Sequence, residues 1–566
     1  MAVTDTAIDM DDPVAHPDEP PPATGTGNDQ GGSTGDRRPS RPANRAKARR
    51  RWAFLGAAAT ILLLAAVLRL LPIGASLPYP GYVDEGHTLH YGAEMVVERT
   101  MDPGWYDYPT FPIAVSGAIL AIAGLPSSQA KRSQDLEATA FGRVYDEIRP
   151  TRGLVGARLF TGALGVATVG LVMLATARLD RRRVALIAGT VVAFMPAMVQ
   201  RGIFDLVDTM ATFFVCAAFV AGLAVVHAAR RSRRVGWTIV AGICCGLAAG
   251  TKYPNGAALI MVAILVGVAA QGSVVKRVVR TGIAGAAAGV AFVATMPAVL
   301  GNRAAVIAGV TKNYDRYAAK NLGPRYWESA AMTTEVGIVV LVAAAVGMVL
   351  LLRRRSTRAP TIAWMVYAVV IVAVAARLQF QPFRNLLSII PFVCIAAAVG
   401  IDAVVRGIAG RVGGGHRRVA DVAILGVVAV LVVHLTIGGI RPFFDGAMKA
   451  DTRTLAREWL EDNVAPGDAV TVMAELAMTK PELDKIPGSV TVISAVDGSV
   501  VREPGSPPSP DGAHYVVTGT LVDAVYPWMP EIGLEQTASF GARRVPPQLN
   551  LTRGNNAAVF IFASPG

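Results

Sequence analysis

Apolar runs about as long as a bilayer is thick recur along this chain, separated by short bursts of arginine and lysine. A helix needs about 20 apolar residues to cross the hydrocarbon core, where its backbone must satisfy its own hydrogen bonds. Eleven such runs can be drawn: 52–72, 153–177, 184–200, 209–229, 235–251, 256–272, 281–300, 333–352, 360–376, 386–405 and 419–440. The expected fold class is an all-α polytopic membrane bundle of about 11 transmembrane helices. Only 17% of residues are charged, which is too few for an ordinary soluble protein. The net charge of +13 would suit a nucleic-acid partner. Its distribution argues against one, because the positive residues lie between apolar runs and not along one soluble face.

The bursts also orient the bundle. With the N-terminal tail in the cytoplasm, the cytoplasmic loops are Arg178–Arg183, Arg230–Arg234, Ser273–Arg280, Arg353–Arg358 and Arg406–Arg418, and every one is basic. The opposite loops, 73–152, 201–208, 252–255, 301–332 and 377–385, carry carboxylates and far fewer clustered positive charges. Residues 111–125 are apolar but too short to span, and a span there would turn every later arginine cluster outward. They are expected to form an interfacial helix within the first external loop.

Three parts are expected. Residues 1–51 form a cytoplasmic tail, disordered to about residue 36 for want of large apolar side chains and ending in a basic stretch. Residues 52–440 form the membrane part, with a first external loop at 73–152. Residues 441–566 form a small extracytoplasmic α/β domain. There 452–463 has helical spacing, whereas DAVTVM, SVTVIS, HYVVTG and AAVFIF alternate like short strands. The four cysteines, Cys216, Cys244, Cys245 and Cys394, sit inside apolar runs and read as small core residues.

Several charged residues fall on the external side. Asp84 and Glu85 lie in the first loop, in GYVDEGHTLHYG. Asp205 and Asp208 follow the 184–200 run, Lys252 and Tyr253 occupy the turn GTKYPNG, and Arg377 and Arg384 flank RLQFQPFRN. Charge beside a bilayer is costly, so acids and bases from distant segments converging on one face suggest a site.

In order, these segments resemble the GT-C type glycosyltransferases, in particular the bacterial lipid-carrier-dependent group related to protein O-mannosyltransferases and aminoarabinose transferases. VDEGHTLHYGAEM resembles the Asp-Glu loop that opens such enzymes, and DYPTFPI resembles the aromatic-Pro segment after it. RLFTGALGVATVGLVMLATARL resembles the second span, and RGIFDLVDTMATFF resembles a segment that puts Asp208 at the family's second acidic position. GLAAGTKYPNG resembles the Lys-Tyr turn, and FRNLLSIIPF resembles an Arg-Tyr-Leu…Pro segment, with Asn385 where Tyr is usual. The resemblance covers roughly 52–405. It implies transfer of a sugar from a polyprenyl-phosphate donor to the hydroxyl of a glycan, protein or lipid acceptor, among membrane lipid and without nucleic acid.

That chemistry requires a base for the acceptor hydroxyl and positive charge for the departing phosphate, itself a good leaving group. Asp84 is the expected base, with Glu85 and Asp208 as further acidic site residues. Lys252, Arg384, Tyr253 and Arg201 are expected to face the donor phosphate. One base opposite the leaving group implies a single displacement with inversion. A divalent cation is the one cofactor that a phosphate site invites, with His87 the candidate ligand. Each residue also has a plainer role. Asp84 and Glu85 favour a helix N-terminus, Lys252 can snorkel, and interfacial histidines and aromatics are common. A lipid-sugar transporter is the alternative, but transporters tend to show paired repeats and midplane charges, which this chain lacks.

Overall fold

The computed structural model describes residues 41–79, 81, 83–123, 150–204, 206–269, 273–318, 335–378, 383–412, 417–473, 476, 478, 480–493, 500–502, 504, 512–519, 535–540 and 558–564. The expected disordered tail and Asp205 lie outside the described residues.

Among the described residues, eight helices are long and apolar enough to cross a membrane, or nine if the bent pair Arg182–Ala193 and Pro196–Phe204 counts as one span. The chain is a multi-pass membrane protein. Two shorter apolar helices, Tyr253–Ala269 and Ile338–Arg353, fall on the two remaining expected spans. The first elements in chain order are α1 (Arg41–Leu70), α2 (Val83–Glu98), α3 (Thr110–Ile122), α4 (Pro150–Leu179), α5 (Arg182–Ala193), α6 (Pro196–Phe204), α7 (Leu206–His227) and α8 (Arg231–Thr251). Helix α3 takes in residues 111–122 of the run expected to be interfacial.

The break between α5 and α6 bends the chain by 59°. Pro196 accounts for it, because proline lacks the N–H a continuing helix would use and its ring clashes with the turn before it. Helices α2 and α3 pack where two glycines meet. A Cβ on Gly92 would lie 2.6 Å from the Gly117 nitrogen, and one on Gly117 would lie 2.6 Å from the Gly92 oxygen. Only glycine permits that approach, which seats α2 on its neighbour. Cys216, Cys245 and Cys394 are buried, the last two in the bundle core among alanine, valine and leucine, as expected for small apolar residues.

Ion pairs separate the two ends of the bundle. At the arginine-rich end, Arg183 pairs with Asp402 at 2.7 Å, Arg354 with Asp180 at 2.5 Å and Arg406 with Asp421 at 2.5 Å. The opposite end holds Asp84, Glu85, Asp208 and Glu335 with their cationic partners.

The C-terminal part is a six-stranded sheet with the helix Thr452–Asn463 packed on it. Its strands are β1 (Ala469–Met473), β2 (Ser489–Ile493), β3 (Val500–Arg502), β4 (His514–Gly519), β5 (Glu535–Phe540) and β6 (Val559–Ala563), in the order β3-β2-β1-β4-β6-β5. Strand β1 runs parallel to β2 and β4, and the other pairs are antiparallel. Asp451 caps the helix by accepting from the Arg453 N–H. Tyr79, from the segment before α2, is fully buried in this sheet's core beside Leu460 and Val470. The Arg453 guanidinium lies 4.5 Å from the Tyr79 ring centre and is itself held by Asp451 at 2.8 and 2.9 Å.

Candidate active site

Helix α2 opens with Asp84 and Glu85 in its first turn, where the exposed N–H groups favour negative charge. The two side chains part company there. Asp84 is half-buried and accepts a hydrogen bond from the Tyr108 hydroxyl at 3.1 Å. Its Oδ2 also pairs with the Arg384 guanidinium. Glu85 is buried, and Arg158 of α4 grips it through Nε to Oε1 at 2.7 Å and Nη2 to Oε2 at 3.0 Å. The Gly81 N–H adds a third bond to Glu85, at 2.8 Å. Arg158 also donates to the carbonyls of Ile73 and Ala75 and lies over the Phe204 ring.

A second acid–base pair stands beside the first. Asp208, in the first turn of α7, accepts from Lys252 Nζ at 2.5 Å. Lys252 is the residue at which α8 ends, and its ammonium also donates to Asn385 Oδ1 at 2.9 Å. Asn385 follows Arg384 in the tight 3-10 turn Phe383–Ile389. Asp84, Arg384, Asn385, Lys252 and Asp208 thus form one chain of contacts drawn from four elements. Lys252 and Arg384 are the expected phosphate-facing residues that join it, and Asp84 and Asp208 are the expected acids that do.

The other expected residues have these partners. Arg201 of α6 pairs with Glu335 at 3.0 Å, both buried. The Tyr253 hydroxyl donates to the Tyr106 carbonyl at 3.2 Å. His87 lies 5.5 Å from the Trp105 ring, which in turn stacks on Tyr91 at 4.7 Å and meets Tyr108 edge-on. Among the described residues no three His, Cys, Asp or Glu side chains gather as metal ligands would. Around His87 the described residues give ring contacts and no set of three such ligands.

A hydrogen-bonded cluster around Asp102 ties the first loop to Asn302 at this end. Tyr106 donates to Asp102 at 2.5 Å and Asn302 donates to Asp102 at 3.3 Å. Burial works to raise the Asp102 carboxyl, yet the bonds from Tyr106, Gly104 and Asn302 hold it below the usual carboxylate range. Burial and the neighbouring Asp102 push the Tyr106 phenol up.

Two site residues carried a weak signal in the sequence. Asn385 stood out only as a departure from the usual tyrosine, and Tyr108 read as an interfacial aromatic. Arg158, which engages Glu85, showed only as the start of a span-like segment, and Glu335, which engages Arg201, carried no signal.

The fold is that of the GT-C type glycosyltransferases, and the chain resembles the lipid-carrier-dependent group among them. Residues 142–307 match the family described as dolichyl-phosphate-mannose-protein mannosyltransferase. The structure is similar to that of ArnT from Cupriavidus metallidurans bound to undecaprenyl phosphate, with a TM-score of 0.51 and 14% identity over 89% of this chain and 97% of that one. It is also similar to the archaeal oligosaccharyltransferase AglB from Archaeoglobus fulgidus in complex with an inhibitory peptide and a dolichol-phosphate, with a TM-score of 0.50 and 12% identity over 84% of this chain and 70% of that one. No curated protein matches the chain in sequence.

Proposed function

We propose that this protein moves a sugar from a polyprenyl-phosphate donor to an acceptor hydroxyl, at the bundle end opposite the arginine clusters. The observation that carries the reading is the alternating cluster of Asp84, Arg384, Lys252 and Asp208 at one end of an apolar bundle. The basic loops support the reading that this end faces away from the cytoplasm, with the N-terminal tail inside and the C-terminal sheet outside. Similar proteins were solved with polyprenyl and dolichol phosphates, and the family match names a mannosyl phospholipid donor.

Arg384 and Lys252 receive the donor phosphate through charge-assisted hydrogen bonds. Asp84 takes the proton of the acceptor hydroxyl as its oxygen attacks the anomeric carbon. The bond from that carbon to the phosphate oxygen breaks, and polyprenyl phosphate leaves with its negative charge held by the two cations. A single displacement of this kind inverts the anomeric centre. Asp208 balances and aims Lys252. Glu85, locked to Arg158, positions α2 and so Asp84.

The resting pairs add a consequence. Arg384 occupies Asp84, and Lys252 occupies Asp208. A donor phosphate that draws Arg384 away frees Asp84 to accept a proton, so the donor binds before the acceptor. The test is transfer of labelled sugar from lipid to acceptor by the purified full chain, with product stereochemistry read by NMR. An inverted product and donor-first kinetics are expected. Retention of configuration would remove the single displacement, and lipid translocation without transfer would favour the transporter.

A further inference from the structure

Below the two cations lies a neutral polar network that the reaction described above does not use. Tyr367, on the membrane helix Arg355–Ala375, is fully buried, and Asn255 and Ser388 are almost so. The Tyr367 hydroxyl lies 2.7 Å from Ser388 Oγ and 2.9 Å from Asn255 Oδ1. Ser388 Oγ lies 3.2 Å from the same Asn255 oxygen. Two hydroxyl protons serve two of the three edges at any moment, and every oxygen of the triangle keeps a hydrogen-bond partner whichever hydroxyl donates to the other.

The places of these residues in the chain give the triangle its meaning. Asn255 sits in the 3-10 turn Tyr253–Ala257, three residues after Lys252, and its N–H donates to the Lys252 carbonyl at 2.9 Å. Ser388 sits in the 3-10 turn Phe383–Ile389, three residues after Asn385 and four after Arg384. Each turn thus joins one cation of the site, Lys252 at the head of the first and Arg384 within the second, to one buried member of the triangle. Two cations on adjacent turns repel, and short 3-10 turns have poorer hydrogen-bond geometry than α-helices. A buried, satisfied network is a rigid link, because an orphaned polar group in a dry core is costly. The Tyr367 ring is itself packed edge-on to Phe392, which stacks on Trp364 at 5.6 Å.

We propose that Asn255, Ser388 and Tyr367 are positioning residues that set the spacing between Lys252 and the Arg384–Asn385 pair, and so tune the site for one lipid-linked phosphate. This rests on the reading of Lys252 and Arg384 as phosphate-binding. It assigns the network to donor affinity and not to the acceptor or to the proton transfer.

The test is the dissociation constant of undecaprenyl phosphate, with acceptor KM and thermal stability alongside, on purified full chains. Tyr367→Phe keeps the ring packing and removes only the hydroxyl. Losing one net hydrogen bond is worth a factor of about five in an equilibrium constant, so phosphate affinity is expected to fall about fivefold or more. Acceptor KM is expected to stay unchanged. In a Lys252→Ala, Arg384→Ala background, Tyr367→Phe should add no further loss of phosphate affinity, because nothing is left to position. Ser388→Ala should repeat the pattern, and it decides the matter if Tyr367→Phe does not fold. Phosphate affinity unchanged in both hydroxyl variants, with affinity lost in the cation variants, overturns the network and leaves the site intact. Affinity unchanged in the cation variants overturns the phosphate reading and the network with it. An equal loss of phosphate affinity with and without the two cations also overturns the proposal and reduces the network to packing.

Discussion

Asp84 and Glu85 are neighbours in the chain, are both acids and both meet an arginine, yet they sit in opposite environments. Glu85 is held by Arg158 and the Gly81 N–H, and Arg158 in turn by the segment Ile73–Ser76, with 3% of the Glu85 side chain exposed and none of that of Arg158. Asp84 and Arg384 keep 13% and 14% exposure and lie beside a second acid–base pair. On a helix, consecutive residues point about 100° apart, so one first turn supplies both an anchor and a reactive group. An enclosed charge pair holds structure, whereas a pair open on one side can exchange its partner for a substrate.

The largest effect should come from breaking the enclosed pair. Glu85→Ala leaves the Arg158 charge buried and uncompensated, which typically costs about 3–5 kcal/mol. Thermal unfolding in detergent should show it as a marked loss of stability. Replacing both partners with apolar residues should be milder than either single change, because no orphan charge remains. A double variant as unstable as Glu85→Ala would mean that the pair does more than neutralise itself.

Asp84→Asn should divide the two regions cleanly. Its fold should be intact, while transfer falls by about 10²–10⁴, the usual contribution of a general base. Near-normal transfer by the purified variant would move the base elsewhere, with Asp208 next.

The Arg384 series is expected to be smaller. Arg384→Ala should weaken donor binding more than acceptor binding, and Arg384→Lys should restore only part, because an ammonium cannot make the two parallel bonds of a guanidinium. Titration with undecaprenyl phosphate checks this, and full recovery by lysine would reduce the residue to a point charge.

The smallest change is expected in the segment that leads into α2. The Tyr79 hydroxyl is buried and has no hydrogen-bond partner among the described residues, while its ring faces Arg453. Tyr79→Phe keeps the ring and relieves the orphan, so stability should hold or rise by about 1 kcal/mol. Tyr79→Leu loses the cation–π contact and should fall below it in the same melt.

The amino-acid pattern alone was enough to expect a polytopic helical bundle, because a bilayer admits few solutions for runs of that length and their arginine flanks. It also pointed to Asp84, Asp208, Lys252 and Arg384, since charges at the ends of apolar runs are expensive and therefore conspicuous. In the C-terminal part, the alternation of β1, β2, β4 and β6 was readable. Strand β5, EQTASF, was not, because it is largely exposed and turns only Ala538 and Phe540 to the core, and β3 is only three residues long. What periodicity cannot express is partnership across distance. That Glu85 turns inward to Arg158 while Asp84 meets Arg384, that Asn385 reaches Lys252, and that Tyr367 joins two turns beneath them are decided by how helices pack. Each of those bonds links residues between 21 and 300 positions apart. Local sequence sets which groups are available, but only the closed bundle sets the distances at which charge and hydrogen bonding act.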